Sequence, residues 1–315
     1  MRLHNEIVRI FLLTDFLLHC KLLVIKKILK RRNLMKTSQF LVLQTDFGLK
    51  DGAVSAMHGV AHMVASYVIV SDLTHEIPPY DIWAVSYRLY QTIKYWPKGT
   101  TFVSVVDPGV GFNRKSIAAK TKSGHFIITP DNGSLTHVAT YMGLEEVREI
   151  DEQKNRLPYS SESNTFHGRD IYAYNGALLA EGEKSFEDLG ETLDPTSVVK
   201  LPLTEASLEN DHLRGSIDVL DIRFGSLWTN IPYDLIKKAN IQRGDKLTVT
   251  ITYQDQVYYH DTIPFVRSFA DAPISDPLIY INSLVNVGIA LNQASFADTY
   301  NIGTGNDWKI DLIKE

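Results

Sequence analysis

The sequence is almost without cysteine, since Cys20 is the only one among 315 residues. One thiol excludes an intrachain disulfide framework and a cysteine-ligated metal cluster, and it favours a reducing, cytoplasmic location. Three common enzyme motifs are missing as well, because the chain contains no P-loop, no GxGxxG and no HExxH. We therefore expect neither a bound metal nor a cofactor.

Long uninterrupted hydrophobic runs are also missing. The most apolar stretch, IFLLTDFLLHCKLLVI, is broken by Asp15, His19 and Lys21, whereas a membrane span needs about 20 nearly uninterrupted apolar residues. It also lacks the clean apolar core and small-residue cleavage site of a signal peptide. We interpret residues 1–34 as an atypical extension translated from upstream of Met35, with a basic amphipathic helix or a weak anchor as the alternatives.

The body of the chain has little positive charge. Residues 1–34 hold eight Lys/Arg against two Asp/Glu, so the remaining 281 residues hold 24 against 35, within an overall net charge of −5. An acidic body argues against a nucleic-acid partner, because phosphate binding needs basic surface. It favours a small, cationic ligand and gives no reason to expect a membrane partner.

Apolar runs typical of strands alternate with helical periodicity in the first part of the chain. This pattern predicts an N-terminal α/β domain over 38–200, built on a mostly parallel sheet. We predict strands at 40–46, 67–73 and 100–111, and helices at 52–65 and 81–96.

The pattern changes near residue 200. Residues 201–213 resemble a linker, and 214–315 contain short β-branched and aromatic runs separated by turn residues. We predict a smaller, antiparallel, β-barrel-like C-terminal domain there.

Aspartates follow the predicted strands of the first domain. Parallel sheets bind ligands outside the carboxyl ends of their strands, so these side chains predict a polar rim: Asp46, Asp72, Asp107 and Asp131.

Two glycine-rich segments are the best candidates for a site. In VVDPGVGFNR, a turn can fold Arg114 back onto Asp107, and NTFHGRD contributes His167. In TDFGLKD, Asp46 and Asp51 can accept hydrogen bonds from a ribose diol. The structural alternatives are a tight turn, a core histidine and a helix cap.

Two further interpretations remain open. A metal held by His75, His167 and aspartates has no standard ligand spacing behind it. In DIRFGSLWTN, Phe224 and Trp228 are either core aromatics or a flat surface for a purine.

Six motifs in one order carry a family resemblance: TDFGLKD, DLTHEI, VVDPGVGFNR, TPDNG, TFHGRD and FGSLWTN. From about residue 40 to the C-terminus the chain resembles the S-adenosylmethionine (SAM) hydroxide adenosyltransferases, or SAM hydrolases. These enzymes are related to the SAM-dependent fluorinases and chlorinases. The resemblance implies a homotrimer whose ligand lies between the N-terminal domain of one subunit and the C-terminal domain of its neighbour.

The same resemblance implies roles for individual residues. Asp107, Arg114 and His167 correspond to the set that handles the water or hydroxide. The implied substrate contacts are Asp46 at the ribose and, around the rest of SAM, Tyr80, Asp221, Phe224, Ser226, Trp228 and Ser283.

The implied reaction is attack of water on C5′ of the SAM ribose, which gives adenosine and L-methionine. A halogenase is the first alternative, but halogenases carry a tyrosine at the Asp107 position. They also carry an arginine at the Leu284 position, so we expect the methionine carboxylate to be bound differently here. A non-catalytic SAM or adenosine sensor and a metal-dependent hydrolase are the others.

Overall fold

A computed structural model describes Lys21 and residues 39–315. Apart from Lys21, the extension predicted at 1–34 lies outside the described residues. The chain divides into two compact units between Val199 and Lys200.

A seven-stranded mixed sheet forms the first unit, in the order β2-β1-β3-β5-β4-β6-β7. The pairs β1/β2, β1/β3 and β3/β5 are parallel, whereas β4, β6 and β7 add antiparallel neighbours. The strands are β1 (Phe40–Thr45), β2 (Ile69–Thr74), β3 (Thr101–Val105), β4 (Ser116–Thr121), β5 (Phe126–Pro130), β6 (Leu144–Ile150) and β7 (Gly190–Leu193).

Helices cover the sheet, and this explains the apolar strand sequences. In β1, Leu41 and Leu43 belong to one buried cluster with Met57, whereas Val42 belongs to a second cluster with Leu89. A strand buried on both faces has no polar alternation. The helices are α1 (Ala53–Val64), α2 (Ile82–Ile93), α3 (Thr136–Tyr141), a π-helix (Gly168–Ala173), α4 (Tyr174–Glu181) and 3₁₀ turns at Glu187–Leu189 and Pro195–Ser197.

The second unit is an antiparallel sheet in the order β12-β11-β15-β9-β10-β14-β13, with β8 beside β9. An isolated bridge between Phe265 and Ile279 joins the two ends of this order into a nearly closed barrel. The elements are β8 (Ser207–Glu209), β9 (His212–Asp221), β10 (Ser226–Pro232), α5 (Tyr233–Lys238), β11 (Lys246–Tyr253), β12 (Gln256–Pro264), a 3₁₀ turn (Phe269–Asp271), β13 (Pro277–Ile281), β14 (Asn286–Leu291), α6 (Phe296–Tyr300) and β15 (Gly305–Lys314).

The predicted fold class is confirmed: an α/β unit with a parallel half-sheet precedes an antiparallel, barrel-like unit. Residues 201–213 differ from a plain linker, because β8 pairs with the start of β9 across a tight Asn210–Asp211 turn. In the described part of the chain, the helices lack the combination of length and apolarity that a membrane crossing requires.

Candidate active site

The carboxyl ends of β1, β2, β3 and β5 lie at one edge of the first sheet, because these strands are parallel. A cavity of about 250 Å³ lies at this edge. Asp46 follows β1, Asp107 follows β3, and both line the cavity together with Tyr80, Phe166 and His167. Four loops therefore bring together four of the side chains that the sequence predicted for the site.

The loop 106–115 carries the central pair of the site. It leaves β3 and enters β4, two strands that are separated by β5. Asn132 Nδ2 donates a hydrogen bond to the Val106 carbonyl at 2.9 Å, and the Asp131 N–H donates to the Lys115 carbonyl at 2.8 Å. Both ends of the loop are thus attached to the chain just after β5.

Gly111 lets this loop approach the segment that bears His167. Its φ is +74°, and a Cβ there would lie 2.7 Å from the Asn164 carbonyl oxygen. Residues other than glycine rarely adopt this backbone conformation, and here their Cβ atom would also collide with the backbone of Asn164.

Arg114 and Asp107 form a buried ion pair, with 9% and 5% of their side chains exposed. Arg114 Nη2 donates to Asp107 Oδ2 at 2.7 Å, and Nε lies 3.1 and 3.0 Å from Oδ1 and Oδ2. Burial lowers the pKa of Arg114, but the Asp107 carboxylate, Tyr172 and Glu152 outweigh this and raise the pKa above its usual value. Arg114 is therefore a permanent cation that orients Asp107.

His167 lies between two arginines. Its Nδ1 is 2.6 Å from Arg114 Nη2, and its Nε2 is 3.2 Å from Arg156 Nη2. Burial lowers the pKa of His167, and Arg114 and Arg156 lower it further against the opposing charge of Glu152. Since a guanidinium only donates and a neutral imidazole has one lone pair, one ring nitrogen accepts from an arginine and the other carries the N–H.

Four residues of this network were not predicted from the sequence: Ser116, Glu152, Arg156 and Tyr172. Arg114 Nη1 donates to Ser116 Oγ and to Glu152 Oε1, each at 3.1 Å, and Ser116 Oγ donates to the same Glu152 oxygen at 2.6 Å. The Tyr172 hydroxyl is 2.9 Å from Ser116 Oγ and 3.4 Å from Asp107 Oδ2. Ser116 and Glu152 thereby fix the guanidinium on its Nη1 side, away from Asp107.

The two carboxylates of TDFGLKD are not brought together. Asp46 lines the cavity, and its Oδ2 accepts a hydrogen bond from the Tyr80 N–H at 2.9 Å. Tyr80 has a left-handed backbone with φ +67°, and the residue is 72% exposed. Asp51 lies outside the cavity and accepts from the Ala53 N–H at 2.9 Å, at the start of α1. This hydrogen bond spans two residues and closes a local turn just before the helix, whose N-cap is Gly52.

The second unit has a cavity of its own, of about 810 Å³. Phe224 and Ser226 line it, and Phe224 is 66% exposed. Asp221 ends β9, and its carbonyl accepts from the Phe224 and Gly225 N–H groups at 3.1 and 2.7 Å. This turn holds the aromatic ring at the surface of the unit.

Trp228 and Ser283 lie elsewhere in the second unit. Trp228 is buried on the Ser226 face of β10, and its Nε1 donates to the Tyr280 hydroxyl at 3.0 Å. Ser283 is exposed in the turn between β13 and β14, at the end of β14 opposite the cavity. Within this unit, the structure therefore does not bring Ser283 to Phe224.

The sequence left open a metal site that contains both His75 and His167. In the described part of the chain, these two histidines do not belong to one group of possible metal ligands. His75 lies instead with His58 and Asp72. His167 contacts the arginines, which cannot bind a cation.

Comparison with known proteins covers both units. The family model of the SAM hydroxide adenosyltransferase N-terminal domain matches residues 41–190, and that of the C-terminal domain matches 215–309. The chain is 34% identical over 235 residues to the (R)-S-adenosyl-L-methionine hydrolase of Methanocaldococcus jannaschii, covering 73% of this chain and 80% of that one. It is 31% identical to the enzyme of that name from Salinispora arenicola, covering 88% and 99%.

A fluorinase and a solved structure are also similar. The fluorinase of Actinopolyspora mzabensis is 28% identical, covering 84% of this chain and 94% of that one. The crystal structure of an uncharacterized conserved protein from Thermotoga maritima has a TM-score of 0.77 at 31% identity, covering 87% and 99%. The chain therefore belongs to the SAM hydroxide adenosyltransferase family.

Proposed function

We propose that this protein is an enzyme that hydrolyses SAM to adenosine and L-methionine. The observation that carries the proposal is the Asp107 carboxylate, which Arg114 holds by three contacts of 2.7–3.1 Å in a cavity that also contains Asp46 and His167. The similarity to proteins named (R)-S-adenosyl-L-methionine hydrolase supports it.

The chemistry is a displacement at C5′ of the ribose. A water oxygen forms a bond to C5′ while the C5′–S⁺ bond breaks, and the electron pair of that bond returns to sulfur. The sulfonium leaves as the neutral thioether of methionine, so the leaving group needs no acid. The catalytic requirement is a water held in line with the C5′–S bond and a group that accepts its proton.

Asp107 is the proposed acceptor of that proton. Contacts from Arg114 and Tyr172 converge on Oδ2, whereas Oδ1 has the 3.1 Å contact from Arg114 Nε. Oδ1 thus keeps lone pairs for a water molecule. His167 lines the same cavity and is the proposed second hydrogen-bonding partner of this water, while Asp46 binds the ribose diol.

We further propose that the active protein is a cytoplasmic homotrimer, with Phe224 and Ser226 of one subunit completing the site of its neighbour. The separate cavities of the two units support this arrangement, because the carboxylates lie in one and the exposed aromatic ring in the other.

The test is incubation of the purified, EDTA-treated chain with SAM in H₂¹⁸O, followed by mass spectrometry. We expect equal amounts of adenosine and methionine, with ¹⁸O in the adenosine 5′-hydroxyl, and no change when chloride or fluoride is added. The carboxylate repels a halide, so a 5′-halo-adenosine as the main product would overturn the proposal in favour of a halogenase. Tight SAM binding without either product would indicate a sensor.

A further inference from the structure

Three side chains that commonly bind metals converge outside the cavity described above. His58 is on α1, Asp72 is on β2, and His75 follows that strand. His58 Nε2 and His75 Nε2 lie 2.9 and 3.0 Å from the same atom, Asp72 Oδ1. The ligand atoms of the three residues all lie within 4.8 Å of one another.

His75 is held in the orientation that a metal ligand needs. Its side chain is 2% exposed, and its Nδ1 lies 2.8 Å from Thr45 Oγ1. When Nδ1–H donates to this hydroxyl, Nε2 carries the lone pair. A hydrogen-bonded partner on the second ring nitrogen is the usual support of a metal-bound histidine.

The other nitrogen of His75 has no hydrogen bond. Although Nε2 is close to the Asp72 carboxylate, the contact does not have hydrogen-bond geometry, and the buried atom has no other partner. Buried polar atoms are nearly always satisfied, so an unpaired nitrogen facing a carboxylate indicates a missing positive group. A metal ion bound by both atoms would supply it.

The opposite side of the cluster is open to solvent. The side chains of His58 and Asp72 are 30% and 40% exposed, so an ion can enter and water can complete its coordination. Two imidazole nitrogens, one carboxylate oxygen and a water are a donor set that suits Zn²⁺ and related transition metals better than Ca²⁺ or Mg²⁺.

We propose that His58, Asp72 and His75 bind one divalent transition-metal ion, with Zn²⁺ as the best match. The ion joins α1 to the end of β2. It also fixes the loop after β1, because the His75 carbonyl accepts from the Gly48 N–H at 2.7 Å. None of the three ligands lines the cavity of Asp46 and Asp107, so the ion has a structural role and hydrolysis does not depend on it.

The experiment uses the full chain, stripped with EDTA and dialysed, then titrated with Co²⁺ and Zn²⁺. Co²⁺ reports its ligands through its visible spectrum, and Zn²⁺ is counted by elemental analysis after gel filtration. We expect one ion per chain and a higher melting temperature in Zn²⁺, because the folded state alone presents the three ligands together.

Matched variants locate the site. His58→Ala and Asp72→Asn should each weaken binding by about 10-fold or more, and both should lose the Zn²⁺-dependent rise in melting temperature. His62→Ala is the control, since His62 is exposed one turn further along α1 and is not in the cluster. It should bind like the wild type.

Three outcomes would overturn the proposal: no stoichiometric binding, unchanged binding in both His58→Ala and Asp72→Asn, or an equal loss in His62→Ala. Melting curves without metal show whether each variant folds. If His58→Ala does not fold, Asp72→Asn still tests the site, because this substitution keeps the size of the side chain. Hydrolysis of SAM is measured on the stripped protein in parallel, so failure of the metal site and failure of the proposed reaction are distinguishable.

Discussion

At the residue scale, the two carboxylates of the cavity differ in what holds them. Asp107 is paired with a buried guanidinium, whereas Asp46 accepts one backbone N–H from Tyr80. The first is fixed by its ion pair, which suits the proposed acceptor of a water proton. The second keeps most of its lone pairs free, which suits the proposed contact with the ribose diol. The two aspartates are thus proposed to serve different purposes because their neighbours differ.

This difference predicts opposite kinetic effects for two isosteric substitutions. Asp107→Asn should lower kcat by about 10²–10⁴-fold with little change in KM, because an amide cannot take the proton of the water. Asp46→Asn should mainly raise KM, by about 10-fold or more, because the diol is bound equally in the ground and transition states. Steady-state assays of adenosine release measure both.

Asp131→Asn is the matched control, since Asp131 follows β5 at the same sheet edge but does not line the cavity. It should retain wild-type kinetics. A fall in kcat alone for Asp46→Asn, or a rise in KM alone for Asp107→Asn, would contradict the roles assigned here.

At the scale of elements, the sequence predicted the strands whose apolar residues form continuous runs and missed β6. The buried residues of β6 are Leu144, Val147 and Ile150, which are spaced by three. Such spacing is typical of a helix, whereas a half-buried strand should alternate by two. Because β6 was not predicted, Glu152 and Arg156, which follow it to the edge of the active site, were not predicted either.

The π-helix explains why Tyr172, a further residue of the site, was not predicted from the sequence. His167 and Tyr172 are five residues apart, and both contact Arg114. An α-helical period separates such residues around the axis, whereas the wider π turn brings them to the same side. Periodicity analysis assumes the α-helical value, so it could not place Tyr172 beside the buried ion pair.

Strand β9 carries a buried carboxyl group that makes stability depend on pH. Burial raises the pKa of Asp218 to about 7, against a smaller opposing effect of its hydrogen bond from Ser216. The folded chain therefore keeps a proton that the unfolded chain releases above pH 4. Stability should fall as the pH rises from about 4 to 7, and this loss should be complete above pH 7.

Asp218→Asn should remove this dependence. At pH 8 we expect the variant to be more stable than the wild type by roughly 2–4 kcal/mol, and at pH 4 nearly equal to it. Denaturant unfolding at both pH values measures the difference. Asp261→Asn, an exposed change in the same unit, should show no such trend. Equal stability of Asp218→Asn and wild type at pH 8 would contradict a raised pKa of Asp218 in the folded protein.

At the scale of the whole molecule, a shared site predicts complementation between inactive chains. Mixing Asp107→Asn with Phe224→Ala under conditions of subunit exchange should restore activity, because some interfaces then combine an intact first unit with an intact second unit. In an equal mixture, about one quarter of the interfaces in a cyclic trimer have this composition. The measurement is kcat/KM before and after exchange.

A mixture of Asp107→Asn with His167→Ala is the control for complementation. Both changes lie in the first unit, so every first unit carries a lesion and no interface can recover. If subunit exchange is demonstrated and Asp107→Asn with Phe224→Ala remains inactive, the site lies within one chain and the trimer proposal fails.

The attachment of loop 106–115 has a consequence for how this protein can diversify. Its ends are anchored at Val106 and Lys115 by backbone-directed hydrogen bonds from the chain after β5, so the path of the loop does not depend on the side chain of Asp107. Natural variation or directed evolution can replace Asp107 together with its turn, while the strands of the sheet stay unchanged. A new nucleophile can therefore arise by replacement of a short segment, without the evolution of a new fold.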